Sequence, residues 1–189
     1  MSDMAAIPHG SGGALGREAI LARLNSEQPL ISGYLSLEDQ LQPNGFDLSV
    51  AQVSELTGPG ALGRTNAERV VPEARPLEFD ADGWLDLTPG MYQVLFNEIV
   101  ALPNDLMALG RPRSSLCRCG ATLGTAVWDA GYTGRSTSLL VVTNPAGLRL
   151  ARDARVLQLV FFTLDMPTAE GYSGVYQGEN VAFRREGER

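Results

Sequence analysis

Short apolar runs cut by glycine, proline and asparagine set the tightest limit on how this chain can fold. "GFDLSVAQVSEL", "WLDLTPGMYQVLFNEIVAL", "SLLVVTN" and "ARVLQLVFFTL" are separated by such signals, which 21 glycines and 11 prolines supply in quantity. Strands at that spacing predict an all-β sandwich or barrel. One stretch departs from the pattern. "GREAILARLNSE" places Ile20, Leu21 and Leu24 at helical spacing and predicts a short N-terminal helix. A chain of 189 residues fits one domain with a real core and an appended arm. Residues 1–15, small, Gly-rich and broken by Pro8, read as that arm, and residues 16–165 as the β domain. The tail, 166–189, is polar and Gly-rich, and composition alone makes it a flexible end. Residues 57–76 have no clean period and read as a surface excursion with room for a short strand at Arg69–Val71.

Charge and residue inventory then remove whole classes of function. No run approaches the roughly 20 apolar residues of a membrane helix, and the N-terminus lacks a charged-then-apolar leader. Cys117 and Cys119 are one residue apart, where an intramolecular disulfide would be strained, so a reducing cytoplasm is the expected compartment. Strand alternation would make both thiols buried small hydrophobes, and one Cys-x-Cys pair without a second pair or nearby His is a weak metal signal. The formal net charge is −7, and all 15 basic residues are Arg. That balance argues against nucleic-acid binding through a broad basic face, though not against a small anion held by a local field. The single histidine, His9, lies in the arm, so a Ser-His-Asp system has no natural source of its base. Without lysine there is no Gly-x-x-x-x-Gly-Lys phosphate loop, and the zinc-deaminase signature is missing too. Carboxylate, guanidinium, hydroxyl, backbone amide and a metal brought by the substrate remain. They suit attack by water on a phosphoryl group.

Two stretches concentrate those groups. "ALGRPRSSLCRCG", 108–120, gathers Arg111, Arg113 and Arg118 around Ser114 and Ser115. Guanidinium forks beside hydroxyls match phosphate oxygens, and a surface turn with solvated arginines would read the same. "AVWDAGYTG", 126–134, sets Asp129 among two glycines and Tyr132. It is either a plain β-turn or a backbone folded tightly about a ligand with Asp129 aimed at it.

Taken in order, these pieces resemble the dUTP pyrophosphatase and dCTP deaminase superfamily over about residues 15–180. "QPNGFDLSV", "PRSSLCRCG", "AVWDAGYTG" and "ARVLQLVF" are similar to its first four motifs, and "GYSGVYQGE" to the closing tail of its deaminase-like branch. The resemblance implies a distorted jelly-roll β-barrel, assembled as a homotrimer with sites between subunits. It implies dUTP as substrate, with Mg²⁺ held through the phosphates and no direct protein ligand. In the third motif Asp129 would hold the catalytic water and the sugar 3′-hydroxyl, and Tyr132 would pack on the deoxyribose with Trp128 beside it. Hairpin amides and carbonyls would pair with the pyrimidine, and Gly131 and Gly134 would let backbone approach the base. Arg113, Ser114, Ser115, Arg118 and Gln158 would hold triphosphate oxygens. Asp47 would support the site or serve the fold. Tyr172, Tyr176 and Gln177 would close over the nucleotide.

Both hydrolysis and deamination occur in this superfamily. Its deaminases carry a Glu three residues before an Asn on the strand after the hairpin; here that position is Val141, before Asn144. Valine transfers no proton, so the resemblance favours a dUTP diphosphatase, with a dCTP deaminase as the rival. Deaminase-like tails read Lys-Tyr-Gln-Gly-Gln, whereas this one has Val175 and Glu179 at the ends of "VYQGE". Those two substitutions keep a non-catalytic nucleotide-binding regulator as a further alternative.

Overall fold

The computed structural model describes residues 13–184, so His9 and most of the predicted arm lie outside the described residues. From the N-terminus come helix α1 (Arg17–Leu24), strand β1 (Ile31–Ser32), helix α2 (Leu37–Gln40) and strands β2 (Leu41–Gln42) and β3 (Gly45–Thr57). Strands β4 (Glu73–Pro76), β5 (Trp84–Leu87), β6 (Gly90–Phe96), β7 (Ile99–Ala101) and β8 (Leu106–Pro112) lead to helix α3 (Ser114–Arg118). Strands β9 (Ala121–Gly124), β10 (Val127–Trp128), β11 (Thr133–Gly134), β12 (Thr137–Val142), β13 (Leu148–Ala151) and β14 (Arg155–Thr163) complete the order. The fold is mostly β, as predicted, and beside the predicted N-terminal helix it forms two further short helices, α2 and α3.

The main sheet runs β10-β8-β14-β3-β6-β12-β9 and curls into a half-barrel. β3 is the hinge of the curl. Its first half pairs with β14 and its second with β6, and the register shifts between Val50 and Gln52. A bulge of that kind bends a strand and sharpens its twist. The sheet's concave face carries the core. Phe46, Leu48 and Val50 alternate inward and meet Val94, Phe96, Leu106, Leu140, Leu157, Leu159 and Phe161, all fully buried. On α1, Ile20 and Leu24 stand four apart and are both buried, which docks the helix on this core.

Three expectations need correction. Residues 13–15 are not a loose arm: Leu15 N–H donates to the Phe161 carbonyl, and Thr163 N–H to that of Gly13, which extends β14's pairing. In the 57–76 excursion the strand is β4, which continues β3 as a hairpin (Thr57 opposite Glu73). At Arg69–Val71 only Val70 pairs, in a single bridge to Ala61, because Pro72 cannot donate to a ladder. Cys117 and Cys119 are exposed, not buried. The chain after Pro112 winds into α3, pinned by the buried Leu116, so a two-residue alternation does not apply there.

Candidate active site

Asp129 stands at the mouth of a cavity of about 350 Å³ whose walls include Trp128, Tyr132, Ser136, Tyr172, Tyr176 and Glu179. The sequence brings these together by a hairpin. β10 pairs with the end of the sheet, Trp128 opposite Ala108, and β11 pairs with β7, Thr133 opposite Ala101. Residues 129–132 must therefore cross between two sheets in a tight turn, closed by Tyr132 N–H donating to the Asp129 carbonyl at 3.1 Å. Gly131 makes this possible with a φ of +82°, a region in which a side chain is strained. The Asp129 carboxylate is exposed and has no hydrogen bond or ion pair with any described residue. It is free to engage a ligand or water.

The aromatic walls are fixed. Trp128 is buried and its indole N–H donates to Ser136 Oγ at 3.1 Å. The Tyr132 and Tyr172 rings meet edge-on, centroids 5.8 Å apart. Tyr132 donates its hydroxyl to Glu179 at 2.8 Å. Burial, reinforced by that hydrogen bond and by the nearby Glu179 charge, pushes the Tyr132 phenol up, so it stays protonated. Burial likewise pushes the Glu179 carboxyl up, and the Tyr132 hydroxyl partly offsets this. Glu179 thus faces a phenol and the cavity wall.

The tail already covers the hairpin. Tyr172 N–H donates to the Ala130 carbonyl, Gly178 N–H to that of Thr133, and Arg135 N–H to that of Glu179. A Cβ on Gly131 would stand 2.5 Å from Gly171 Cα, so the backbone making the close approach here is the tail's. The excursion takes part as well: Val71 lines the cavity, and the Arg69 guanidinium lies over the Tyr176 ring at 5.5 Å.

The predicted phosphate group forms a second cluster. Across adjacent strands, Asp47 pairs with Gln158 and Gln158 with Arg111. Asp47 is buried and holds Arg113 at 2.9 Å and Arg155 at 3.4 Å. Burial pushes its carboxyl up, while the two guanidiniums pull it back. Ser114, Ser115 and Arg118 are exposed on α3 just beyond. None of these residues lines the Asp129 cavity. Arg113, the first residue past β8, follows Ala108, the partner of Trp128, by five residues, roughly 17 Å at strand rise. The two clusters therefore lie apart in one chain. Val141 faces the same side of β12 as Thr137, which lines the cavity, but sits four residues further along and outside it.

Sequence reasoning missed Glu98, Arg155, Arg69 and Val71. Glu98 is fully buried and accepts from Gln40 Nε2 at 2.6 Å, Ser49 N–H at 2.9 Å and Ser49 Oγ at 2.6 Å. Burial raises its carboxyl, and these donors partly offset the rise. Its signal was visible: Asn97 and Glu98 interrupt the apolar run of β6 and β7. For Arg69 and Val71 no local signal exists.

Comparison with known proteins bears on this geometry. A family model described as dCTP deaminase-like matches residues 14–164. A protein of Methanosarcina mazei named probable deoxyuridine 5′-triphosphate nucleotidohydrolase is 54% identical over 158 residues, covering 84% of this chain and 92% of the relative. One of the same name from Archaeoglobus fulgidus is 48% identical over 161 residues, covering 85% and 94%. Among solved structures, the 2′-deoxycytidine 5′-triphosphate deaminase of Agrobacterium tumefaciens shares the fold with a TM-score of 0.62 at 23% identity. That match covers 80% of this chain and 48% of the other.

Proposed function

The chain belongs to the dCTP deaminase-like family, and from that premise we propose that it is a dUTP diphosphatase, converting dUTP and water to dUMP and pyrophosphate. Relatives named as dUTP nucleotidohydrolases over most of both chains support the substrate. The observation that carries the reaction is an exposed Asp129 carboxylate without a partner among the described residues, beside an aromatic cavity of nucleoside size.

In this reading the pyrimidine pairs with the backbone of the 131–135 hairpin, between Trp128 and Tyr132, and Asp129 orients a water against the α-phosphorus. Asp129 takes the proton as the new O–P bond forms, the bond from the α-phosphorus to the bridging oxygen breaks, and pyrophosphate leaves. Arg113, Ser114, Ser115, Arg118 and Gln158 hold the triphosphate oxygens, with Asp47 fixing the Arg113 fork. Because those groups and Asp129 stand far apart in one chain, the complete site is made between subunits of a homotrimer. The neighbouring exposed side chains Leu109 and Val127 suit such a contact. Tyr172 and Tyr176 close over the nucleotide.

No group of three His, Cys, Asp or Glu side chains among the described residues is placed to hold a metal. The fit is to an ion carried by the triphosphate, as Mg²⁺ usually is, which would supply charge neutralisation at the phosphates. The exposed thiols of Cys117 and Cys119 suit a reducing compartment such as the cytoplasm.

Pyrophosphate release from dUTP, dCTP, dTTP and UTP with Mg²⁺ tests base, sugar and reaction together. Turnover of dUTP alone is the expected result. Ammonia release from dCTP would move the assignment to deamination, and tight dUTP binding without turnover would move it to a regulator.

A further inference from the structure

β11 gives one edge to β7 and turns the other to the tail. Along that edge Gly178 and Glu179 pair through their backbones, at 2.7 and 2.9 Å. Gln177 pairs through its side chain instead. Thr133 N–H donates to Gln177 Oε1 at 2.9 Å, and Gln177 Nε2 donates to the Gly131 carbonyl at 2.9 Å. The amide can point only one way, because Thr133 N–H must find an acceptor and the Gly131 carbonyl a donor. A carbonyl oxygen beside an N–H in one plane is also the imide edge of uracil.

We propose that in the ligand-free protein the Gln177 side-chain amide holds the hydrogen-bonding edge of the hairpin that the base takes, so that the tail is an internal competitor for the pyrimidine. This rests on the reading above, in which the base pairs with the hairpin backbone. The tail is also fastened without Gln177, by Tyr172 N–H to the Ala130 carbonyl and by the Tyr132–Glu179 bond. Removing the amide therefore frees the edge while leaving the tail in place. Only ligands with a base should notice.

The test is calorimetric binding of dUMP and of inorganic pyrophosphate to the full chain and to Gln177→Ala and Gln177→Met, with amide exchange at Thr133 in the unliganded proteins. Two lost hydrogen bonds predict dUMP binding roughly five- to 150-fold tighter in both variants. Thr133 exchange should be faster and pyrophosphate binding unchanged. Unchanged or weaker dUMP binding overturns the proposal. So does equal tightening for pyrophosphate, because the tail would then be a general gate. If neither wild type nor variants bind dUMP, the functional reading falls and the proposal with it; pyrophosphate release from dUTP by the wild type separates that case from failure of the proposal alone.

Discussion

Asp47 and Asp129 are both carboxylates in polar surroundings, and burial assigns them opposite work. Asp47 is buried between two guanidiniums that are each about a third exposed. Asp47→Ala would leave Arg113 and Arg155 without their shared acceptor, costing about 1–3 kcal/mol, and a fall in the denaturant midpoint at constant slope is the reading that checks it. A midpoint that does not move would make Asp47 a site residue with no part in the fold. Asp129 has no such partners among the described residues, so Asp129→Asn should fold with unchanged stability. Its kcat for dUTP should drop by roughly 10²–10⁴ while dUMP still binds. Stopped-flow turnover alongside calorimetry resolves the two, and full activity in the variant would remove Asp129 from the chemistry.

At the scale of elements the tail and hairpin are bonded as one unit through Glu179, and its carboxyl makes a pH-dependent grip the expected behaviour. Docked against Tyr132, Glu179 has a carboxyl raised above its ordinary 4.5; released, it returns to that value. The docked state then binds more protons than the released one between those two pKa values. Docking is strongest below the ordinary value, weakens as pH rises through the docked-state value, and carries the full penalty above it. The other titratable groups on the cavity wall are Asp129 and the phenols of Tyr132, Tyr172 and Tyr176; Tyr132 stays neutral. Gly178 amide resonances followed from low to neutral pH should show the tail loosening as pH rises. Glu179→Gln, neutral throughout and the residue that deaminase-like tails carry, should abolish that trend. A trend that persists in the variant assigns it to another group.

For the whole molecule, the proposed function makes the two clusters half-sites of one active site, and their separation within a chain then makes assembly a catalytic requirement. Arg118→Ala and Asp129→Asn chains should each be inactive alone. Mixed by unfolding and refolding together, they should regain activity, because some sites then join an intact Arg118 to an intact Asp129 across a subunit contact. No recovery in mixed oligomers, verified by mass, would place both half-sites in one chain.

The β class, the helix over 17–24 and the hairpin at 126–134 were legible because each depends on local rules: period-two burial, period 3.6 and turn chemistry. Asp129 and the Arg–Ser cluster stand out for the same reason, as short strings of chemically distinctive residues, and the roles proposed for them await the tests above. What the tail touches was not. Composition reads 166–184 as loose, yet Gly131, Tyr132 and Thr133 offer it an open strand edge and an aromatic wall from some forty residues away in sequence. Cys117 reads as buried from alternation, until Leu116 is seen pinning a helix there. The placing of Arg69 over Tyr176, and the gap between Asp129 and Arg118, likewise follow from how strands order in the sheet. Strand order is set by long-range burial, which no local pattern encodes.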